Sequence, residues 1–293
     1  MLFLLTKNKI SNPPMIKSIK NIYTETVWRI SRKIFLKIRN DSPSMQLDIG
    51  ERNLLKHFLN NSKKEKKILF DVGANIGSWS KLALKYDNDI SIFAFEAINQ
   101  TYLNLEKNLS NHNADIKIFN KAISNEIGYF DIYNFGENEG TNSFFNDSIS
   151  FNDKSVKSPK IEKILTTTID IFCKENNIDS IDFLKCDTEG NDFNVIMGCK
   201  EMFKNNRIMA LQFEYNWRWI NSKSFLKNVF DYFNDTNYLI GKITSNEVQI
   251  INEWNPELEK FYESNYLIIN KDHIANFKHN FYYFNNKNIL QIV

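Results

Sequence analysis

The chain alternates short apolar runs that end in a glycine or an acid with longer stretches carrying an apolar residue every three or four positions. Residues 68–72 (Ile-Leu-Phe-Asp-Val) form one such run, broken only by Asp71, and it leads into a turn bearing Gly73 and Gly77. Short apolar runs bounded by glycines read as buried strands of a parallel sheet. From Trp79 the period changes, because Trp79, Leu82, Ala83 and Tyr86 mark one face of a helix. The same alternation continues. Strands are predicted at 90–95, 116–119, 181–187 and 207–215, with helices at 101–109, after Gly190 and at 225–233. Residues 238–243 and 248–251 pair as strands, and 265–269 closes the sheet. Residues 127–135 add a strand or hairpin. Strands alternating with helices predict an α/β fold, doubly wound around a mostly parallel sheet.

The flanks have other patterns. Residues 1–14 look irregular, whereas Ile16, Ile19, Tyr23, Val27, Ile30, Ile34 and Ile38 place an amphipathic helix over 15–39. Its polar side carries Lys17, Lys20, Arg29, Arg32, Lys33, Lys37 and Arg39 against one acid, Glu25. Such a helix can lie on an anionic membrane or meet an acidic partner. It can equally cap the main domain or join two copies. Residues 41–44 read as a linker, and 50–60 as a helix leading to a lysine-rich turn. The polar stretch 136–163 reads as a lid, a binding loop or plain surface. Residues 271–293 show no clear period and read as a tail. The expected division is therefore an extension (1–49), a main domain (50–270) and a C-terminal tail (271–293).

Composition narrows the function. The chain has 293 residues, enough for one large α/β domain with an appendage. Thirty-seven basic residues against 35 acidic give net +2, which argues against a general polyanion binder, so no nucleic acid is expected. The three cysteines (173, 186 and 199) form no C-x-x-C pair, and Cys186 falls in a buried strand. That favours a reduced, cytoplasmic protein, peripheral to a membrane if the basic helix docks. No 18-residue apolar run is present to span a bilayer.

The chemistry lies at the strand ends, where ligands of open α/β sheets bind. Those ends deliver Asp71, Glu96, Asp187, Glu189 and Glu214. Glycines at 73 and 77 permit positive φ or close approach, and a helix start offers free N–H groups to a ligand. Asp71, in a buried strand, needs a partner, which a ligand's donors could supply. Glu96, roughly 20 residues past the turn, is placed to accept both hydroxyls of a ribose. Dinucleotide binders use G-x-G-x-x-G, but here position 75 is Asn and an acid near the turn repels phosphate. An NAD(P)-dependent oxidoreductase is thus the weaker alternative, and a non-catalytic nucleoside-binding scaffold the third. Glu189 could instead cap the next helix, and Glu214 could pair with Arg218. The histidines (57, 112, 273 and 279) fall away from this rim. Asp187, Glu189 and Glu214 are hard oxygen ligands, but no dedicated metal motif is visible and no metal is expected. Tyr215, Trp217 and Trp219 could stack on a ring or only cover the sheet edge.

The segments 71–80 (Asp-Val-Gly-Ala-Asn-Ile-Gly-Ser-Trp-Ser), Phe95-Glu96-Ala97 with Tyr102, 182–190 (Asp-Phe-Leu-Lys-Cys-Asp-Thr-Glu-Gly) and Phe213-Glu214-Tyr215 resemble the FkbM family of S-adenosylmethionine-dependent methyltransferases. The resemblance spans about residues 50–270. It implies a class I, Rossmann-like methyltransferase fold with a seven-stranded sheet. It further implies S-adenosylmethionine as cofactor and a small-molecule or glycan hydroxyl as acceptor. On that reading Asp71, Gly73, Ala74, Asn75 and Gly77 face the methionine end and Glu96 with Ala97 the ribose. Asn120 or Ala122 lies near the adenine, and Asp187 and Glu214 orient or deprotonate the acceptor, with Asp187 also near the sulfonium. The segment 136–163 becomes a substrate-side loop.

Overall fold

In a computed structural model the described residues are 14–40, 49–134, 143–144 and 159–293, with side chains described from residue 21 onward. The linker at 41–44, residues 1–13 and most of the polar stretch 136–163 lie outside them. The chain divides into two compact units, Met1–Ser42 and Pro43–Val293. Among its described residues the first unit contains one helix, α1 (Pro14–Arg39).

The second unit opens with α2 (Ile49–Asn61), β1 (Lys67–Val72), α3 (Ser78–Tyr86), β2 (Ile90–Phe95), α4 (Asn99–Leu109) and β3 (Asp115–Phe119). A small excursion follows: β4 (Ala122–Ile123), β5 (Gly128–Asn134) and β6 (Lys160–Thr167) form a separate three-stranded sheet in the order β4-β6-β5. The main sheet resumes through α5 (Ile169–Glu175), β7 (Phe183–Cys186), α6 (Asp192–Met197), α7 (Lys200–Lys204), β8 (Ala210–Tyr215) and α8 (Leu226–Phe233). It ends with β9 (Tyr238–Ile243), β10 (Val248–Ile251), β11 (Ser264–Asn270), β12 (His279–Phe284) and β13 (Leu290–Ile292).

The main sheet has ten strands in the order β13-β12-β10-β9-β11-β8-β7-β1-β2-β3. From β3 to β8 every pairing is parallel, and β11 inserts antiparallel between β8 and β9. Seven of these strands thus form the expected class I methyltransferase sheet. The difference is at its edge, where β10, β12 and β13 extend it. Residues 271–293 are therefore not a tail. The aromatic run Phe281 to Phe284 hides the period of two, since both faces of β12 carry rings.

The central strands bury both faces, and alternation sends successive residues to opposite sides. On one face Phe70, Phe93, Phe95 and Phe172 pack with Leu211 and Phe213. On the other, Leu69 and Phe183 pack with Leu55, Phe58 and Trp79. Phe172, on α5, sets its ring edge-on to Phe95 at 4.8 Å, a favoured aromatic geometry. Thr168 caps α5 by accepting a hydrogen bond from the Ile171 N–H at 3.1 Å. Gly198 ends α6 with ordinary right-handed φ. Its function is clearance, because a Cβ there would lie 2.2 Å from the Ser124 carbonyl oxygen.

Candidate active site

The site is built where β1, β2, β7 and β8 end. Gly73, Asn75 and Gly77 all take left-handed backbone, with φ of 79°, 48° and 84°. Asn tolerates that region and glycine prefers it. The Gly73 and Ala74 N–H groups both donate to the Phe95 carbonyl (3.0 and 2.9 Å), and the Gly77 N–H to Ala74. The Asn75 N–H donates to Glu96 Oε2 at 2.9 Å. The turn therefore spends the Gly73, Ala74 and Asn75 donors on the end of β2. Glycine at 73 also serves a packing purpose: a Cβ would lie 1.9 Å from the Asp187 carbonyl oxygen.

Glu96 is buried at the end of β2 and accepts a second backbone N–H, from Ile98 to Oε1 at 2.9 Å. Burial pushes its carboxyl up to about 7, against the pull of those N–H groups, with Asp71 adding to the rise. Each carboxylate oxygen keeps a lone pair after one such bond. Beside it, Asn75 Oδ1 is a buried acceptor without a protein donor. Asn120 is exposed and donates to the carbonyls of Glu96 and Ala97, both at 3.0 Å. Ala122 is buried in a small apolar cluster with Ile98, Ile132 and Ile164, against which Ala97 packs.

Asp71 is fully enclosed and receives the Ser80 hydroxyl at 2.6 Å. Its neighbour in the β1–β7 register is Lys185, whose own β8 neighbour is Gln212. Gln212 donates to Glu51 of α2. A buried polar row thus crosses the sheet beneath the rim, in which Ser80 satisfies Asp71 Oδ2 while Asp71 Oδ1 is a buried acceptor without a protein donor. Burial raises the Asp71 carboxyl, and Lys185 and Ser80 oppose that rise. For Lys185, burial acts to lower the ammonium, but Asp187, Glu51 and Asp71 outweigh it and hold the group charged.

Lys185 reaches out of this row to Asp187 Oδ2 at 2.7 Å. Asp187, Glu189 and Glu214 bring one carboxylate oxygen each within 4.8 Å of one another. Among the described residues this is the group able to hold a hard divalent cation. Glu189 is left-handed at φ 53° and pairs with Arg218 at 2.9 Å. It does not cap α6, and Arg218 is not the partner of Glu214. The helix-side role falls to Asp192, whose carboxylate accepts the N–H groups of Thr188 and Gly190 at 3.4 and 3.2 Å. Burial, followed by the nearby Asp187, pushes Asp192 up to about 7. Glu214 accepts from Asn216 at 3.1 Å. Burial, then the charges of Asp187, Glu189 and Glu263, push its carboxyl well above the usual range.

Tyr215 and Trp219 are core residues, 1% and 0% exposed, so neither can stack on a ligand. Trp217 is partly exposed and lies under the Arg218 guanidinium at 4.9 Å. The Ser143 hydroxyl donates to the Glu189 carbonyl at 2.8 Å, which places one residue of the polar stretch beside the acids. Of the histidines, His57 lines a groove of about 340 Å³ between α2 and the β9–β10 turn, with Thr244 and Lys278. None of the five acids lines that groove.

Lys185 is the residue that sequence reasoning missed. A lysine between Leu184 and Cys186 in a buried strand is as costly as Asp71 is in β1, and two such oddities on parallel strands are a pairing signal.

Curated proteins offer no significant match to this sequence. Among solved structures, the METTL16 methyltransferase domain is 11% identical with TM-score 0.42, covering 74% of this chain and 64% of that one. The human methyltransferase 10 domain containing protein is 11% identical, TM-score 0.41, covering 78% and 85%. Precorrin-6y C5,15-methyltransferase from Geobacter metallireducens is 12% identical, TM-score 0.39, covering 78% and 93%. Scores this low add nothing to the fold described above. The sequence itself is more informative, because the model of the methyltransferase FkbM domain matches residues 71–240, from the first strand-end acid to the middle of β9. The chain belongs to the FkbM methyltransferase family.

Proposed function

We propose that this chain is an S-adenosylmethionine-dependent methyltransferase that methylates a hydroxyl of a small molecule or glycan. The observation that carries the reading is Glu96. Its carboxylate stands at the end of β2, fixed by the N–H groups of Asn75 and Ile98, with lone pairs left for the two hydroxyls of a ribose. The orphaned Asn75 Oδ1 offers a further acceptor for a donor of the same ligand. The turn 73–77 would face the methionine end, and Ala97, Asn120 and Ala122 the adenine. Asp71 has no accessible surface and holds Ser80 of α3 through Oδ2, with Oδ1 left as a buried acceptor.

The cofactor supplies an activated methyl group on a sulfonium, so alignment of acceptor and donor accounts for much of the rate. The remaining task is to take the proton of the acceptor hydroxyl. Asp187, the member of the cluster held by a lysine, takes that role. Glu214, driven toward its neutral acid form by burial and its neighbours, donates a hydrogen bond that orients the acceptor. Ser143, tied to the Glu189 carbonyl, flanks the acceptor side.

A thermal shift tests the cofactor. S-adenosylhomocysteine at 100 times its Kd stabilises a binder by about 2.7 kcal/mol. The expected response is to this ligand and not to NAD, and a response to NAD alone overturns the proposal. Transfer from labelled donor into small-molecule and glycan extracts tests the acceptor class, and label found only in nucleic acid or protein overturns that part.

A further inference from the structure

We propose that α1 is a docking surface for an anionic lipid bilayer, lying in the plane of the membrane interface. Tyr23, Val27, Ile30, Ile34 and Ile38 recur at steps of three and four, and a helix turns about 100° per residue, so they form one stripe. Every one of them is exposed, Ile38 by 75% and Tyr23 by 70%. Soluble surfaces seldom expose an apolar stripe of this size without a use for it. On the opposite side lie Arg29, Arg32 and Arg39, with the exposed Lys33 and Lys37 at one boundary and the Trp28 and Phe35 rings at the other. Glu25 is the lone acid of the helix.

The boundary has its own chemistry. Arg32 sits over the Trp28 ring at 5.4 Å and Arg39 over the Phe35 ring at 5.2 Å, each one helical turn on. Aromatic rings with adjacent cations suit the headgroup level, where the ring meets acyl chains and the cation meets phosphate. A basic face, an apolar stripe and aromatic borders are the features of a helix that lies on a membrane. No described helix is long and apolar enough to cross one.

Charge selects this occupant over the others. A second copy docked through the stripe would bring two basic flanks together, with one acid per helix to offset them. A phosphate backbone would satisfy the cations and leave five apolar side chains in water. An anionic bilayer satisfies both faces at once. The inference stands on α1 alone and is independent of the reaction.

Flotation of the full chain tests it, using phosphatidylcholine vesicles with and without phosphatidylserine. Co-flotation is expected only with phosphatidylserine, and it should weaken as added salt shortens the screening length. Lys33→Ala with Lys37→Ala should lower the binding constant about 25-fold, at roughly fivefold per cation removed near the surface. Ile30→Asp with Ile34→Asp should abolish co-flotation. Both variants should keep the thermal shift of the wild type, since the substitutions lie outside the Pro43–Val293 unit. No co-flotation at low salt overturns the proposal, as does binding that neither variant weakens. A dimer seen by light scattering that persists with anionic vesicles and is lost in the Asp variant also overturns it, in favour of a second copy.

Discussion

The two halves of the rim use carboxylates in opposite ways. On the β2 side, Glu96 is held from behind by one backbone N–H on each oxygen, Asn75 of the 73–77 turn on one and Ile98 on the other. On the β7–β8 side, Asp187, Glu189 and Glu214 crowd one another, with Lys185 and Arg218 as the cations in contact. A carboxylate held by backbone is a fixed recognition element, because its geometry costs nothing further when a ligand arrives. Crowded carboxylates compete for protons, so their charge state responds to what binds between them. The first half suits a constant ligand, and the second suits proton traffic with a variable one.

Substitutions at the two halves should separate these roles. The largest effect is expected from Asp187→Asn, which should cut methyl transfer from labelled donor by about 10²- to 10⁴-fold. The thermal response to S-adenosylhomocysteine should stay intact, and a loss of both would mean that Asp187 serves the cofactor half instead. Gly73→Ala should damage both halves together. It forces a Cβ onto the Asp187 carbonyl at a φ of 79°, and a loss of about 3 kcal/mol or more in urea unfolding is the expected size. A wild-type midpoint in that variant would show the contact to be soft.

Glu96→Gln should act through pH. The folded chain holds the Glu96 proton up to about pH 7, whereas the unfolded chain releases it near 4.5. Between those values the folded state binds the extra proton, so the ligand-free chain loses stability as pH rises and levels off above 7. One such proton gives a slope of at most about 1.4 kcal/mol per pH unit. Asp192 contributes in the same window, so the variant should reduce the slope and not remove it. Cofactor binding should run the other way. Ribose hydroxyls prefer the ionised carboxylate, so S-adenosylhomocysteine should bind more tightly from pH 6 to 8 in the wild type and evenly in Glu96→Gln, measured by calorimetry. The smallest effect belongs to Trp217→Ala. Losing its contact with the Arg218 guanidinium should cost about 1 kcal/mol or less in stability. An altered KM for the acceptor, with kcat unchanged, would place the ring at the acceptor.

Much of this site was legible because strand ends leave a local signature. An apolar run with an acid at or near its end located Asp71, Glu96, Asp187 and Glu214 without any knowledge of pairing, with a glycine close behind the first and third. What stayed hidden was which neighbour each acid finds. That depends on strand order, which brings Lys185 beside Asp71 although 113 positions separate them (185 − 71 − 1). Arg218 choosing Glu189 over Glu214 is the same kind of fact, decided by the left-handed turn at Glu189. The C-terminal strands were missed for a different reason: rings on both faces of β12 erase the alternation that marks a half-buried strand. Tyr215 and Trp219 looked available from the sequence because aromatic residues serve cores and ligands equally well.

The glycine at 73 has a last implication, for anyone who would re-engineer this protein. Its bare Cα rests against the carbonyl of Asp187, so the turn on one strand and the acid on the next are a single mechanical joint. Libraries aimed at a new acceptor should leave that joint alone and vary the periphery, where Ser143 and Trp217 stand. Diversity introduced at the joint itself would be lost to misfolding before selection could act on it.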